Sequence, residues 1–298
     1  SFQFMWTYAQ WVRQVYLGFI PLYPIGYLTV HCFRDDHNIL AKLYVKRSSL
    51  QPSDQLKELV EREMDRLEEI QHPKIRVFLT EKLEPKVYGS FLVKPGAEIQ
   101  FPVSASIVDI EYAQRLGGNI EMDFGRARDR RVLESNTEIA EEVLCRMLLS
   151  EKAKRFLVQR ELRQANDGIL FCLPMLAWSS LCLLGYPLLI ALSPALGPSA
   201  SFALSLAGVT AAFREALRKL DAFAIFRMDE ETTKIGEEYE EGAREYLQAQ
   251  MAVARILKKV MGAEGDKRIT SKGDLIDDVV SYSARLRALD RIKLMNSQ

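Results

Sequence analysis

Histidine is almost missing from this chain. Only His31, His37 and His72 occur in 298 residues, alongside four cysteines. Catalytic machinery built on imidazole has little to draw on. No Gly-x-Gly-x-x-Gly, Walker loop, nucleophile elbow or His-Glu-x-x-His is present. Four cysteines give no disulfide framework and no twin Cys-x9-Cys pattern, which excludes a small oxidised intermembrane-space protein. Cys172 and Cys182 fall in an apolar run, Cys32 at the edge of another and Cys145 on a predicted helix, so buried free thiols are expected. His31, Cys32 and His37 offer imidazole and thiolate of the kind copper favours, but their spacing is no known motif and Arg34-Asp35-Asp36 intervenes. No metal or other cofactor is therefore expected. Net charge is also lacking. Forty basic residues balance forty acidic ones, so no nucleic-acid footprint is visible.

Charge is missing locally as well, and that absence says most. The chain is 27% charged, yet no charged residue occurs from Gly168 to Phe213. A helix rises about 1.5 Å per residue and a bilayer core needs about 20 apolar residues, so this run is long enough for two passes. Ser193-Pro194-Ala195-Leu196-Gly197-Pro198-Ser199 lies in its middle and suits a tight turn. A membrane hairpin is predicted, with helices near 169–192 and 197–217 and a turn at Pro194, Gly197 and Pro198. Residues 14–33 form a third window, with Tyr16, Tyr23 and Tyr27 fit for an interface and Pro21, Pro24 and Gly26 expected to kink it. A start at Ser rather than Met suits a processed organellar protein, and equally a longer chain.

Basic residues gather at one end of these windows, from Arg34 to Arg47, Lys152 to Arg163 and Arg214 to Lys234. Arg13 stands alone at the other end. The positive-inside rule then puts both hydrophilic regions on the inner side, cytosol or matrix. No ionisable residue lies deep in a span, which argues against a transporter.

The first hydrophilic region, 35–167, reads as α+β. Ser53 is placed to cap a helix with Leu56, Leu59, Val60, Met64, Leu67 and Ile70 on one face. Strands are predicted at Lys86–Val93, Glu98–Phe101, Ser104–Glu111 and Asn119–Phe124. Ser135-Asn136-Thr137-Glu138 forms a capping box before a helix carrying Val143, Leu144, Met147 and Leu148, and Ser150 caps a helix over Glu151–Asn166. The second region, 218–298, reads as helical and is expected to pack with 35–167. Ile235, Tyr239, Tyr246, Leu247, Met251, Ala254, Leu257 and Met261 trace one core stripe, Gly262 closes that helix, and Leu275, Ile276, Val279, Val280 and Leu286 suggest a last one. The whole is expected to be a mainly α membrane protein: an N-terminal transmembrane helix (1–34), a transmembrane hairpin (168–217), an α+β extramembrane domain and a helical C-terminal region. Ala200, Ala203, Ala207, Gly208 and Ala211 form the candidate helix-packing interface, since small residues let helices approach closely. They would serve either a partner helix or the hairpin's own other span.

Four stretches carry a resemblance to a known family. They are the span ending in Pro24–Asp36, the segment Lys94-Pro95-Gly96-Ala97-Glu98-Ile99-Gln100-Phe101-Pro102-Val103-Ser104, the helix Leu149-Ser150-Glu151-Lys152-Ala153-Lys154-Arg155-Phe156 running on to Arg160-Glu161, and a tail with Tyr246-Leu247, Leu257 and Thr270-Ser271-Lys272-Gly273-Asp274-Leu275-Ile276. In order and spacing these resemble the transmembrane protein 177 family of the mitochondrial inner membrane, with Lys152-Ala153 departing from the family's helix pattern. The resemblance implies a non-enzymatic factor in the biogenesis of cytochrome c oxidase subunit II, associated with that subunit and its chaperones, in the inner membrane, where the inner side given by the charge distribution is the matrix side. A stoichiometric accessory subunit of a respiratory-chain complex is the alternative. A second likeness, to membrane zinc peptidases, rests on a Pro-Gly strand segment, a helix, a hairpin and then an acidic helix. Glu161 in Arg160-Glu161-Leu162-Arg163-Gln164 stands where those enzymes carry the base of His-Glu-x-x-His, but Arg160 and Gln164 replace both ligands. That likeness implies a peptidase-like scaffold unable to bind zinc, with the acidic stretch Asp229–Glu241 facing the site.

Overall fold

The computed structural model describes residues 2–34, 38–39, 45, 47–67, 70, 73–117, 121–122, 131–132 and 138–296. The chain is mainly helical with small sheets, and it divides into two compact units: 1–45 with 168–223, and 46–167 with 224–298.

The first unit is built from apolar helices. α1 (Phe2–Phe19) and α2 (Leu22–Cys32) meet at a break over Ile20 and Pro21. The interruption comes there alone, since Pro24 fits in the first turn of α2, where a missing N–H costs nothing, and Gly26 continues the helix. Pro24 cannot donate to the Ile20 carbonyl four residues back. The indole N–H of Trp178 takes that carbonyl instead, at 3.0 Å. α8 (Gly168–Leu196) and α9 (Pro198–Thr233) form the hairpin, joined by Gly197 alone. Its φ of +78° suits glycine, which bears no Cβ to clash there. Pro194 thus lies inside the last turn of α8 rather than in the loop, while Gly197 makes the turn and Pro198 opens α9. Thr7–Cys32 and Gly168–Leu196 are long and apolar enough to cross a membrane. α9 is uncharged only from Pro198 to Phe213 before Arg214 follows, a stretch of about 24 Å against the ~30 Å hydrocarbon core.

The second unit holds the sheet. α3 (Asp54–Met64) starts at Ser53, whose hydroxyl accepts the Leu56 N–H. It stops earlier than the apolar spacing predicts, at Met64; Leu67 and Ile70 pack on the core from outside it. β1 (Ile75–Thr80), β2 (Lys86–Gly89) and β3 (Ala97–Pro102) form a sheet in the order β1-β3-β2, β1 parallel and β2 antiparallel to β3. β3 is buried throughout, as a central strand should be. β1 was not evident in the sequence. The strand predicted over Ser104–Glu111 is instead two short helices, α4 (Val103–Ser106) and α5 (Ile110–Gly117). Pro102 has no N–H to extend the ladder and leads straight into α4. Of Asn119–Phe124, Glu121–Met122 form β4, which pairs with β5 (Arg131–Val132); Asn119 and the Ser135–Thr137 part of the capping box lie outside the described residues.

α6 (Glu138–Met147) buries Val143, Leu144 and Met147, whereas Leu148 is exposed. α7 (Glu151–Asn166) begins at Ser150, whose hydroxyl accepts the Ala153 N–H at 3.1 Å. α10 (Glu237–Met261) lies along α7, its backbone so close at Gly242 that a Cβ there would stand 2.2 Å from the Lys152 carbonyl. Tyr239, Tyr246, Leu247, Ala254, Leu257 and Met261 form its buried stripe, and Gly262 ends it. α11 (Ala263–Arg268) follows. The segment 275–280 is not helical, and the last helix, α12 (Tyr282–Asn296), starts later, leaving Ile276 and Val279 exposed. Asp274 fixes that start by accepting the N–H and hydroxyl of Ser283 at 2.8 and 2.7 Å.

Candidate functional site

Two arrangements stand out, one in each unit. In the first unit, α9 has two distinct faces. Ser201, Ser205, Val209 and Phe213, four residues apart, are buried. Val209 and Phe213 pack with Trp178 and Cys182 of α8. α1 and α2 complete the packing. The Tyr16 hydroxyl donates to the Cys182 carbonyl at 3.0 Å, and the Tyr16 and Phe19 rings meet Phe202 edge-on. Tyr23 sits against Trp178 and Phe213. All five candidate interface residues, Ala200, Ala203, Ala207, Gly208 and Ala211, are exposed on the other face, and nothing stands within 4 Å of a Cβ built on Gly208. The small residues are therefore not spent on the hairpin's own packing. At the level of the turn, Tyr8 bonds Ser199 at 2.7 Å and stacks on the exposed Trp11.

In the second unit, charge is buried. Asp229, in the last turns of α9, lies between two guanidinium groups. Arg160 Nε of α7 donates to Oδ1 at 2.8 Å; Arg285 of α12 donates through Nε to Oδ2 at 2.7 Å and through Nη2 to Oδ1 at 3.0 Å. Arg160 also bonds Glu161, and Arg285 Nη1 reaches Glu84, in the turn between β1 and β2, at 3.3 Å. Burial disfavours the charge on Arg285, but Asp229 and Glu84 outweigh it and hold the group well above its ordinary range. Burial raises Glu161, against the opposing pull of Arg160. A second cluster joins α3, α7 and α10: Glu63 accepts the Tyr239 hydroxyl at 2.6 Å and Arg155 Nε at 3.1 Å. Burial and Glu63 together push the Tyr239 phenol up to about 12. These carboxylates are taken up by guanidinium or phenol donors, a bonding pattern that ties helices together rather than activating a nucleophile.

Arg160, Glu161 and Asp229, singled out from separate stretches of sequence, thus meet in space. No group of three or more His, Cys, Asp or Glu is placed to hold a metal among the described residues. His31 stacks on Tyr27 with ring centres 4.1 Å apart, and His37 lies outside the described residues. Arg285, the residue that sequence reading missed, had one available signal: it shares a helical face with Tyr282 and Leu289, both buried. No protein-family model, curated protein or solved structure matches the chain.

Proposed function

We propose that this protein is a non-enzymatic assembly or stabilising factor of the mitochondrial inner membrane, anchored by three spans, that holds another integral membrane protein against the free face of α9. The observation that carries this reading is the exposed small-residue face of Ala200, Ala203, Ala207, Gly208 and Ala211, left over after the opposite face has packed on α8. Such a face fits the close approach of a partner helix. The third span is short, but Arg214 and Arg218 can extend along it to reach the headgroups. By the resemblance to the transmembrane protein 177 family, the partner is cytochrome c oxidase subunit II with its chaperones; in that membrane the inner side favoured by the basic residues, toward which the second unit faces, is the matrix.

The test is to recover the tagged protein from mildly solubilised mitochondria after a pulse of mitochondrial translation. Newly made oxidase subunit II should be enriched over the mature enzyme, and Ala207→Leu with Ala211→Leu should abolish that recovery without lowering the protein's own level. Stable one-to-one recovery with a complete respiratory complex would overturn this reading in favour of an accessory subunit. Protease cleavage of the C-terminal region in mitoplasts, from the outer side, would overturn the matrix orientation.

The convergence of Arg160, Glu161 and Asp229 supports a second reading, a peptidase-like scaffold in which guanidinium groups stand among the acidic residues. Stoichiometric zinc in the purified protein would sink it.

A further inference from the structure

A partly enclosed cavity in the second unit lies where the end of β1, the β3–α4 junction, the end of α6 and the middle of α10 come together. It leaves ≈ 20 Å³ for the centres of water-sized groups. One water needs about 10–15 Å³ on that measure, so the space holds one or two water-sized polar groups, which leaves room for carboxylate oxygens only if the rest of the molecule lies toward the open side.

Its lining is rich in donors. Ser104 and Gln250 are only 4% and 3% exposed. The Ser104 hydroxyl is buried and has no hydrogen-bond partner among the described residues, and Gln250 lines the same space with its amide unbonded among them. Buried hydroxyls are ordinarily paired, so the unpaired Ser104 hydroxyl, with the Gln250 amide beside it, points to a missing partner in this space. Thr80, also buried, accepts the Lys82 N–H through its hydroxyl oxygen at 3.3 Å, which leaves its own hydrogen to donate. Lys82 and Arg146 line the same cavity, and neither side chain is ion-paired among the described residues. Glu81 is the one acidic side chain in the lining, and it has a partner of its own.

We propose that the cavity formed by Thr80, Ser104 and Gln250, with Arg146 and Lys82 beside it, is a binding site for a carboxylate group. Three neutral donors can meet the two oxygens while the cations balance the charge, and hydrogen bonds to an ionised acceptor are the strong ones. The carboxylate belongs either to a polypeptide C-terminus or to a small free acid. The site does not depend on the membrane hairpin or on the assembly reading, and it stands if that reading fails.

Saturation-transfer NMR of the full chain in detergent, at constant ionic strength, tests this. The probes are acetate, inorganic phosphate, and Gly-Gly-Ala as free acid and as amide. Saturable acetate binding is expected, about tenfold weaker in Arg146→Gln, whose exposed position leaves folding intact, and largely kept in Arg146→Lys. Ser104→Ala should weaken it as well. Binding of the tripeptide acid but not its amide assigns the site to a chain terminus; acetate binding without the tripeptide assigns it to a small acid. Absence of saturable acetate binding, indifference to Arg146→Gln and Ser104→Ala, or phosphate displacing acetate at equal affinity would overturn the proposal.

Discussion

Arg285 offers the sharpest test of how the second unit is held together. Its side chain is 2% exposed and Asp229's is 4%. Replacing Arg285 with Met keeps much of the length and apolar stem but leaves Asp229 with Arg160 alone and Glu84 without its buried partner. Breaking a buried pair from one side costs about 3–5 kcal/mol, because the remaining charge stays desolvated. That is a large part of the 5–15 kcal/mol that usually separates folded from unfolded states. Lys234, in an exposed pair with Glu230 one turn away, is the control, and its replacement by Ala should cost about 0.5 kcal/mol or less. Asp229→Asn should be as damaging as Arg285→Met, since Asp229 serves two guanidinium groups. The double variant should cost clearly less than the two single effects added, by about 2 kcal/mol, because no carboxylate is then left facing the lost guanidinium. Trp6, Trp11 and Trp178 all belong to the first unit, so tryptophan fluorescence would report the wrong part of the molecule. Pulse proteolysis in urea, with the cleaved fragments assigned to the second unit, reads the right one. A cost below about 1 kcal/mol for Arg285→Met, or simple additivity, would refute the view that this network holds α7, α9 and α12 together.

Alanine normally strengthens a helix relative to glycine by about 1 kcal/mol, but Gly242→Ala should destabilise by about 2 kcal/mol or more because its Cβ would meet the Lys152 carbonyl; the urea midpoint gives the sign. Gly185→Ala should loosen the first unit, where the new carbon would lie 2.4 Å from the Tyr16 hydroxyl and 2.5 Å from Val209, whereas Gly208→Ala, with open space around the new carbon, should raise its thermal unfolding temperature slightly. Asp278 is raised from 3.8 to about 7 by burial and then by Glu84. The folded state therefore binds more protons than the unfolded state between about pH 4 and 7, and stability falls as pH rises through that window by at most about 4 kcal/mol. Asp278→Asn should flatten the pH curve and be the more stable protein at pH 8, as urea titrations across pH would record.

What could be read from the sequence was whatever a single periodicity or a single absence encodes. The uncharged run from Gly168 to Phe213 marks the hairpin because a long stretch without charge has few other uses, and Gly197 marks its turn because little else tolerates that φ. The stripe from Tyr239 to Met261 and the caps at Ser53 and Ser150 are equally local. The strands that were missed or misread both involve long-range partners. Ile107, Val108 and Ile110 favour a strand, yet Pro102 cuts the ladder and, among the described residues, no neighbouring strand is placed to pair with them. Ile75–Thr80 becomes β1 through parallel pairing with β3 across the intervening β2, a contact that no short window contains. The free face of α9 was ambiguous for the same reason: Ser201 and Ala203 are both small, and only the position of α8 decides that one is buried and the other exposed. Arg160 and Asp229 look like surface charges because each lies in a stretch rich in charged residues. They become core residues because α7 and the end of α9 enclose them together with Arg285, a residue distant from both in sequence. Burying one of these charges alone would oppose folding, whereas burying them together requires these helices to meet in one register, which is how a polar cluster can fix an arrangement that apolar packing alone would leave freer to slip.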